Sequence, residues 1–301
     1  MGKIPRLLTQ TPLYKRGMPM KFAGINLRNP VILLSGTAGY GKEMNDIIDL
    51  SRLGALISKT ITEKPRIGNP PPRTAETPAG LLNSIGLENP GLEEFIKEAV
   101  PFIKKLPLPV LVSIAGNEKQ IARMGKRLED AGIVALEINL SCPNVSGEFR
   151  PTSPREIKKL VSQIRKAVKI PFLTKLPPDL FRIQDLVKAA EEGGTNGLTI
   201  ANTFPAMAFD VEKKKPLLGG ITGGLSGPAI LPLSLYLVFK ARPITKLPIL
   251  GSGGIYNGSS AVSMLLAGAD TVGLGTVNFF QPDAYREILK SIAEYRKNQH
   301  K

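Results

Sequence analysis

Short apolar stretches alternate with amphipathic stretches along most of the chain, and this alternation predicts strands separated by helices. The apolar stretches are rich in β-branched residues, which is typical of buried parallel strands. They predict eight strands, at 31–36, 55–60, 110–115, 135–141, 172–176, 197–203, 248–253 and 271–276. A helix is predicted after each strand, at 46–52, 91–105, 119–131, 154–168, 183–192, 228–240, 259–267 and 283–295.

Eight strand–helix units in 301 residues favour an α/β fold of the (β/α)₈ or TIM-barrel type, with a doubly wound open sheet as the alternative. Turn signals at Gly24 and Asn29 predict a short hairpin over 20–30, ahead of the first barrel strand. Two segments, 63–89 and 204–227, interrupt the alternation, and we expect long loops there at the C-terminal face. We expect residues 1–301 to form one domain.

The helix over 154–168 has the clearest start signal in the sequence. Ser153 is a favourable N-cap residue, because its hydroxyl can accept a hydrogen bond from a free backbone N–H of the first turn. Pro154 suits the first helical position, where no N–H partner is needed. The sequence therefore predicts that this helix begins at Pro154.

Small and polar residues stand where the predicted strands end. In barrels of this type, ligands bind at the C-terminal ends of the strands. Those ends carry Ser35, Gly36, Lys59, Thr60, Asn139, Cys142, Lys175, Asn202, Thr203, Gly253, Gly254, Gly275 and Thr276. Glycines after the last two strands would let backbone N–H groups approach an anion, so they favour a phosphate site; tight βα turns are the alternative explanation.

The stretch 135–144 runs from a predicted strand into a loop that holds the only cysteine, Cys142. Apolar residues alternate there with Glu137 and Asn139, so these two side chains should point into the barrel if the apolar ones face the helices. The chemistry of the residues leaves two interpretations of Cys142 open. It is either a buried structural thiol or a general base that acts as a thiolate.

Lys59 and Lys175 are unusual at strand ends, because lysine is almost never fully buried unless it is paired. One interpretation is that each lysine reaches a carboxylate at the barrel rim. The other is that the two ammonium groups hold an anionic or electron-rich ligand. An inward-pointing Glu137 is a possible partner for one of them.

Composition excludes several classes of function. A single cysteine allows neither an internal disulfide nor an iron–sulfur cluster held by this chain alone, and the only histidine, His300, stands next to the C-terminus, which excludes a His-based triad and a zinc cluster. No apolar run is long enough for a membrane span or signal peptide, so we expect a cytoplasmic protein. The net charge of +15 is spread along the helices, which favours anionic ligands or an acidic partner over nucleic acid.

The stretch Asn139-Leu140-Ser141-Cys142-Pro143-Asn144-Val145 resembles the active-site signature of class 1 dihydroorotate dehydrogenases. The resemblance covers nearly the whole chain and includes 68–73, 82–91 and 221–228, of which the last two are most similar to the class 1B catalytic subunit. Two departures are a short loop after Val145 and Gly219-Gly220, where the family often has Ala-Asn. The resemblance implies a barrel that binds FMN and oxidises dihydroorotate to orotate in pyrimidine synthesis.

The resemblance also implies a role for individual residues. It identifies Cys142 as the catalytic base. Substrate contacts are implied for Lys59, Asn83, Ser84, Ile85, Gly86, Leu87, Asn139, Asn144, Asn202 and Thr203. Flavin contacts are implied for Ser35, Lys59, Thr60, Ser113, Asn139, Lys175, Ala201, Gly227, Gly253, Gly254, Gly275 and Thr276.

A class 1B subunit implies a second protein. That partner would carry FAD and a [2Fe–2S] cluster and would pass electrons to NAD⁺, in a heterotetramer built on a homodimer. Three alternatives stay open at this point: a class 1A-like or other enzyme with a soluble acceptor, a related flavin enzyme acting on another pyrimidine, and a non-catalytic barrel that binds a phosphate ligand. Cys142 disfavours the last, because a binding protein needs no base.

Overall fold

The computed structural model of the protein describes residues 19–140 and 153–298, and within them eight parallel strands close into a barrel. In order around the barrel the strands are β3 (Val31–Leu33), β4 (Ala55–Ile57), β7 (Val110–Ile114), β8 (Ala135–Asn139), β9 (Phe172–Lys175), β10 (Gly197–Ile200), β15 (Ile249–Ser252) and β16 (Thr271–Leu274). The (β/α)₈ prediction is confirmed, and the open sheet is excluded because β16 pairs with β3.

Helices surround the barrel. They are α1 (Lys42–Asn45), α2 (Leu92–Glu98), α3 (Val100–Ile103), α4 (Glu118–Asp130), α5 (Pro154–Ala167), α6 (Ile183–Glu192), α7 (Leu231–Ala241), α8 (Gly258–Leu266), α9 (Val277–Phe280) and α10 (Ala284–Asn298). Short 3₁₀ turns occupy Leu50–Arg52, Pro228–Ile230 and Arg242–Ile244. In the described part of the chain, no helix has the length and apolar character needed to cross a membrane.

Two predicted helices differ from the structure. The helix expected over 46–52 is replaced by α1 and a separate 3₁₀ turn, because the Asp49 side chain accepts a hydrogen bond from the Ser51 N–H at 3.1 Å and starts a new turn. The helix expected over 91–105 is divided into α2 and α3. Pro101 lies in the first turn of α3 and has no N–H for a continuous helical ladder.

The start of α5 agrees with the prediction. The Ser153 hydroxyl accepts a hydrogen bond from the Glu156 N–H at 3.3 Å, and the Glu156 carboxylate accepts one from the Ser153 N–H at 3.1 Å. This reciprocal pair is a capping box, which satisfies two backbone donors that the helix cannot satisfy itself. It fixes the point at which the chain enters α5.

The alternation of side chains in the strands separates two apolar regions. Outward-facing residues such as Leu136 and Ile138 pack with the helices in one large core. Inward-facing residues at the lower end of the barrel pack instead with the N-terminal hairpin, which consists of β1 (Met20–Phe22) and β2 (Ile25–Leu27). The predicted hairpin is therefore confirmed, and it closes the end of the barrel opposite the C-terminal ends of the strands.

Both segments expected to be structureless loops contain strands. β5 (Thr74–Thr77) and β6 (Gly80–Asn83) form a hairpin in the first, and β11 (Phe204–Ala206) and β14 (Gly223–Ser226) lie in the second. The four strands form one antiparallel sheet in the order β11-β14-β6-β5, and β12 (Phe209–Asp210) pairs with β13 (Lys215–Pro216) beside it. The sequence did not indicate strands within these long loops, because the strands are short and half-exposed and lack the apolar runs of the barrel.

The turn between the hairpin and the barrel generates a prediction about stability. Gly54 packs so closely that a Cβ there would lie 2.0 Å from the Asn29 carbonyl oxygen, which belongs to the backbone and cannot rotate away. We expect Gly54→Ala to lower the free energy of unfolding by about 1–3 kcal/mol through overpacking. Thermal and urea unfolding would measure the change.

The matched control is Gly36→Ala, because a Cβ at Gly36 has no heavy atom within 4 Å. Its unfolding free energy should stay within about 0.5 kcal/mol of the parent. Equal unfolding curves for the two variants would contradict the packing argument.

Candidate functional site

A cavity of about 480 Å³ lies at the C-terminal ends of the barrel strands. Its walls come from the strand ends, the loops that follow them and three strands of the antiparallel sheet, β5, β6 and β14. The segments that the sequence left as loops therefore form part of the wall. Ligand sites of (β/α)₈ barrels are found at this end.

Most of the residues singled out from the sequence meet in this cavity. The lining includes Ser35, Lys59, Thr60, Asn83, Ile85, Gly86, Leu87, Asn139, Lys175, Ala201, Asn202, Thr203, Gly227, Gly253, Gly254, Gly275 and Thr276. These residues come from segments that span more than 240 positions of the chain, from Ser35 to Thr276. The barrel brings them together because all its strands point the same way.

Four of the singled-out residues are not found on the wall. Cys142 and Asn144 lie outside the described residues. Ser84 is fully buried behind the wall, where its hydroxyl accepts a hydrogen bond from the Asn69 amide at 2.9 Å. Ser113 is also fully buried and contacts Thr60 and Glu137 rather than the cavity. The geometry gives Ser84 and Ser113 supporting positions, whereas the resemblance implied direct ligand contacts.

One side of the cavity is formed by backbone. A Cβ at Gly275 would have Leu34 Cδ1 as its nearest neighbour, at 3.7 Å, so the open space of the cavity reaches the chain there. Gly254 has a φ of +79°, and a Cβ there would lie 2.5 Å from the Leu231 nitrogen at the start of α7. Glycine at this position is thus required both by its backbone conformation and by the close approach of α7. The turn at Gly254 is tight and also lines the cavity. The two explanations for these glycines, a tight βα turn and an anion site, are therefore compatible.

The other side of the cavity carries amide side chains. Asn139, at the end of β8, donates from Nδ2 to the Thr60 hydroxyl at 3.1 Å. Asn202 Nδ2 lies 3.5 Å from Asn139 Oδ1, and the Asn202 carbonyl accepts a hydrogen bond from the Thr203 N–H at 2.8 Å. Asn83 donates to the Gly224 carbonyl of the antiparallel sheet at 3.1 Å. These amides present both donors and acceptors to a ligand.

The two lysines differ in their surroundings. Lys59 Nζ lies 3.4 Å from Glu88 Oε2, and Arg73 Nη1 lies 3.3 Å from the same oxygen. Lys59 therefore reaches a rim carboxylate, as one interpretation of the sequence held. Lys175 is only 7% exposed, and the described part of the chain gives its ammonium group no ion pair. A buried ammonium group favours an anionic or electron-rich ligand, because desolvation is costly without a partner.

Glu137 does point into the barrel, but its suggested pairing with a lysine was wrong. It is fully buried, and its two carboxylate oxygens accept hydrogen bonds from Ser113 at 3.1 Å and from Thr199 at 2.9 Å. Hydroxyl groups of β7 and β10 replace the expected ammonium group, because Lys59 extends toward the rim and Lys175 lies one level higher in β9, opposite Asn139.

Glu88 and Ser226 are among the polar residues of the wall that sequence reasoning missed. Glu88 holds Lys59, and Ser226 accepts a hydrogen bond from the Thr276 hydroxyl at 2.7 Å. Both lie in segments assigned as loops, so no strand end marked them. For Glu88, the only available signal was its place directly after the Asn83–Leu87 stretch, in a chain with many lysines that could pair with it.

Tyr40 follows Gly39, which lines the cavity, and carries a phenol that could in principle abstract a proton. Burial raises the pKa of its phenol far above the usual value, and the negative charges of Glu43 and Glu88 raise it further. The phenol therefore stays protonated at neutral and moderately alkaline pH. Tyr40 is unsuited to act as a base.

The glycine pair at Gly219-Gly220 has a packing explanation. A Cβ at Gly219 would lie 2.3 Å from the Pro70 carbonyl oxygen, and a Cβ at Gly220 would lie 2.3 Å from the Ser84 hydroxyl. The two segments that cover the cavity approach each other too closely here for larger residues. The departure from the family pattern follows from this contact.

Comparison with known proteins gives a consistent result. A family model described as dihydroorotate dehydrogenase matches residues 18–295. The chain is 41% identical over 282 residues to the "Dihydroorotate dehydrogenase B (NAD(+)), catalytic subunit" of Geobacter sp. (strain M21), covering 92% of each chain. Proteins of the same name from Desulforudis audaxviator and Desulforamulus reducens are 43% and 42% identical over 277 and 290 residues. The alignments cover 91% and 93% of this chain, and 90% and 94% of those proteins.

The family model spans the barrel, the hairpin and both cavity-covering segments, and the relatives align over almost their whole length. The chain belongs to the dihydroorotate dehydrogenase family.

Proposed function

We propose that this protein is the FMN-dependent catalytic subunit of a dihydroorotate dehydrogenase, which oxidises dihydroorotate to orotate in pyrimidine synthesis and passes the electrons to NAD⁺ through a partner subunit. The observation that carries the proposal is the cavity at the strand ends, where Asn83, Asn139, Asn202, Lys59 and Lys175 converge in a chain of this family. The names of these relatives support both the reaction and the division into subunits.

The residues of the cavity fit FMN. The open backbone at Gly275, together with Gly253, Gly254, Gly227 and Thr276, would hold the phosphate end, because exposed N–H groups bind phosphate.

The ring end would lie against Ser35, Thr60, Asn139, Lys175 and Ala201, which line the same cavity. Lys175 fits there because its buried ammonium group can balance negative charge on a ring. When bound, FMN supplies the hydride acceptor that no side chain can provide.

Dihydroorotate is an anionic ring with amide N–H and C=O groups, and the amide side chains of the cavity match this chemistry. The amides of Asn83, Asn139 and Asn202 can pair with the ring, since each offers a carbonyl acceptor and two donors. Lys59 would meet the substrate carboxylate from the rim, where Glu88 now holds its ammonium group. Together these groups orient the ring, which lowers the entropic cost of reaching the reactive geometry.

We assign the removal of the substrate C5 proton to Cys142. The assignment comes from the sequence resemblance, because Cys142 lies outside the described residues. The structure is compatible with it in one respect: β8 ends at Asn139, which lines the cavity, three positions before the cysteine. The raised pKa of Tyr40 removes one competing base.

A non-catalytic barrel that binds a phosphate ligand is the alternative from another functional class. The glycine-rich wall alone would suit it. The amide-rich wall and Lys59 exceed what phosphate binding needs, so we favour the enzyme.

The first functional prediction concerns the cofactor. The purified chain should carry about one FMN and no FAD, because the glycine backbone and the amide side chains of the described residues meet in the same cavity. Gly275→Leu should fill that space and weaken FMN binding more than about 10-fold, since even one to two kcal/mol of steric conflict has that effect. Flavin absorbance after gentle purification and titration of the apoprotein would measure both.

The control is the melting temperature of the flavin-free Gly275→Leu protein, which should match that of the flavin-free parent. Purified protein that contains FAD, or no flavin at all, would contradict the cofactor assignment.

The second prediction concerns Cys142. Cys142→Ser replaces the base with a hydroxyl of much higher pKa, and general-base catalysis typically contributes about 10²–10⁴-fold. Reduction of the protein's flavin by dihydroorotate should slow by that factor near neutral pH, and the remaining rate should rise with pH further into the alkaline range. Anaerobic stopped-flow absorbance across pH is the measurement.

Flavin content and orotate affinity serve as controls and should persist in Cys142→Ser, since the other groups that bind the ligands lie elsewhere. A variant that is reduced as fast as the parent at neutral pH would move the base to another residue and leave Cys142 as a small buried apolar side chain.

The third prediction concerns the electron acceptor. The isolated chain should reduce NAD⁺ slowly, because its one cysteine cannot hold an iron–sulfur cluster. The rate of NAD⁺ reduction should rise when an iron–sulfur flavoprotein partner is added. Steady-state NADH formation with and without the partner is the measurement. Efficient NAD⁺ reduction by the chain alone would refute the two-subunit assignment, and rapid turnover with fumarate would indicate class 1A-like chemistry.

A further inference from the structure

A chain of hydrogen bonds leads from the cavity wall down into the barrel. It starts at Asn139 Nδ2, continues through the Thr60 hydroxyl at 3.1 Å and the Ser113 hydroxyl at 2.8 Å, and reaches Glu137 Oε1 at 3.1 Å. The other carboxylate oxygen accepts a hydrogen bond from Thr199 at 2.9 Å. We call the first four residues, Asn139, Thr60, Ser113 and Glu137, the barrel relay.

Every member of the barrel relay is buried. Glu137 and Ser113 are fully buried, and Thr60 and Asn139 are 6% exposed. Strand register brings the lower two together, because Ser113 of β7 lies directly opposite Glu137 of β8. Nothing in the proposed chemistry uses Glu137, although a buried carboxylate is costly unless it is hydrogen-bonded. Glu137 is therefore a candidate for a function that the proposed chemistry does not assign.

The carboxylate determines the direction of each hydrogen bond above it. The Ser113 hydroxyl donates its proton to Glu137 Oε1 at 3.1 Å. Ser113 has only one hydroxyl proton, so Thr60 must be the donor in the contact between Thr60 and Ser113. Thr60 has then used its own proton and can only accept a hydrogen bond from Asn139.

This sequence of donors fixes the Asn139 amide. Its NH₂ group must face Thr60, and its carbonyl oxygen must then face the other way, toward Asn202 Nδ2 at 3.5 Å. Without the relay the amide could rotate by 180° about its last bond, and the cavity would present an NH₂ donor in place of a carbonyl acceptor. The two orientations select opposite partners on a ligand.

We propose that Glu137 is a positioning residue, which acts through Ser113 and Thr60 to hold the Asn139 carbonyl ready to accept a hydrogen bond from a ring N–H of the ligand. This inference rests on the proposed function, since it takes Asn139 to be a ligand contact. Glu137 itself does not touch the ligand.

The experiment compares two buried hydroxyl deletions that differ only in their place relative to the relay. Ser113→Ala cuts the connection between Glu137 and Asn139. Thr199→Val also removes a hydroxyl donor from Glu137, from a fully buried strand position, and leaves the connection intact. Loss of a buried hydrogen bond should lower the melting temperature of both proteins by a similar amount.

The direct readout is the side-chain NH₂ signal of Asn139 in protein labelled with ¹⁵N-asparagine, identified by its absence in Asn139→Ala. In Ser113→Ala, Thr60 loses its acceptor and donates to the Asn139 carbonyl, so the amide should rotate and its NH₂ signal should move. In Thr199→Val the signal should stay where it is in the parent. This measurement needs neither flavin nor substrate.

The second readout is the dissociation constant of orotate, obtained by titrating the flavin-containing proteins. Ser113→Ala should weaken orotate binding by about 10- to 100-fold, because a ligand N–H would face a donor in place of an acceptor. Thr199→Val should stay within about twofold of the parent.

Glu137→Gln provides the rescue test. Its amide oxygen can accept from Ser113 while its NH₂ donates to Thr199, so the direction of the relay is kept without the charge. The Asn139 signal and the orotate affinity should both remain close to those of the parent.

The outcomes separate the inference from the proposed function. A parent protein that binds no orotate would overturn the proposed function, and the Asn139 signal would still decide whether the relay orients the amide. An Asn139 signal that moves equally in both hydroxyl variants, or in neither, overturns the positioning role of Glu137. Equal orotate affinities in Ser113→Ala and Thr199→Val overturn the claim that the Asn139 carbonyl recognises a ligand N–H.

Discussion

The closed ring of parallel strands imposes the constraint on which the rest of this structure depends. Every second residue of each strand points into the barrel interior, which is filled by side chains. A polar side chain that points there is therefore removed from water. The lower layers satisfy this constraint with apolar side chains such as Leu111 and Leu173, which pack on the N-terminal hairpin. The upper layers contain polar side chains instead, since Ser113, Glu137 and Lys175 also point inward. The barrel therefore changes from apolar to polar along its own axis.

This change of polarity has a thermodynamic consequence. Each inward polar group loses its contact with water, so it must find a partner within the barrel or in a bound ligand. Glu137 accepts hydrogen bonds from two hydroxyls, Ser113 on β7 and Thr199 on β10. Lys175, one level higher, lines the cavity. Hydrogen bonds within the barrel thus hold the Glu137 side chain below the cavity, whereas the Lys175 side chain faces the cavity.

The sequence was sufficient to predict the parts of the fold that repeat. Period-two alternation in β8 predicted which face of that strand Glu137 and Asn139 occupy, and the capping signal at Ser153 predicted the start of α5. Common direction of the strands then predicted that residues as distant as Lys59 and Thr276 line one cavity. These features depend on local chemistry and on one geometric rule, so a single sequence carries them.

Features that depend on distant contacts were not predictable in this way. Strands β6 and β14 are held by each other, and neither Leu81 nor Gly224 stands in an apolar run that would signal a strand. The pairing of Glu137 was predicted wrongly for a related reason. Charge suggested a lysine as its partner, but strand register places the hydroxyl of Ser113 directly opposite it. The sequence shows which groups point inward, and only the register shows which of them meet.

Strand β8 is where these two kinds of information combine. Its alternation turns Glu137 and Asn139 inward at successive levels, and its last residue stands three positions before Cys142 in the sequence. Under the proposed function, one strand of five residues thus holds a buried positioning group and a ligand contact, and it directs the chain toward the base. A shift of the β8 register by one residue would turn Glu137 and Asn139 outward together. The cavity would lose the Asn139 amide, and the Glu137 carboxylate would lie in the apolar layer between the barrel and the helices. The packing of Leu136 and Ile138 against those helices opposes this shift, so the core of the barrel and the chemistry of the site depend on the same register.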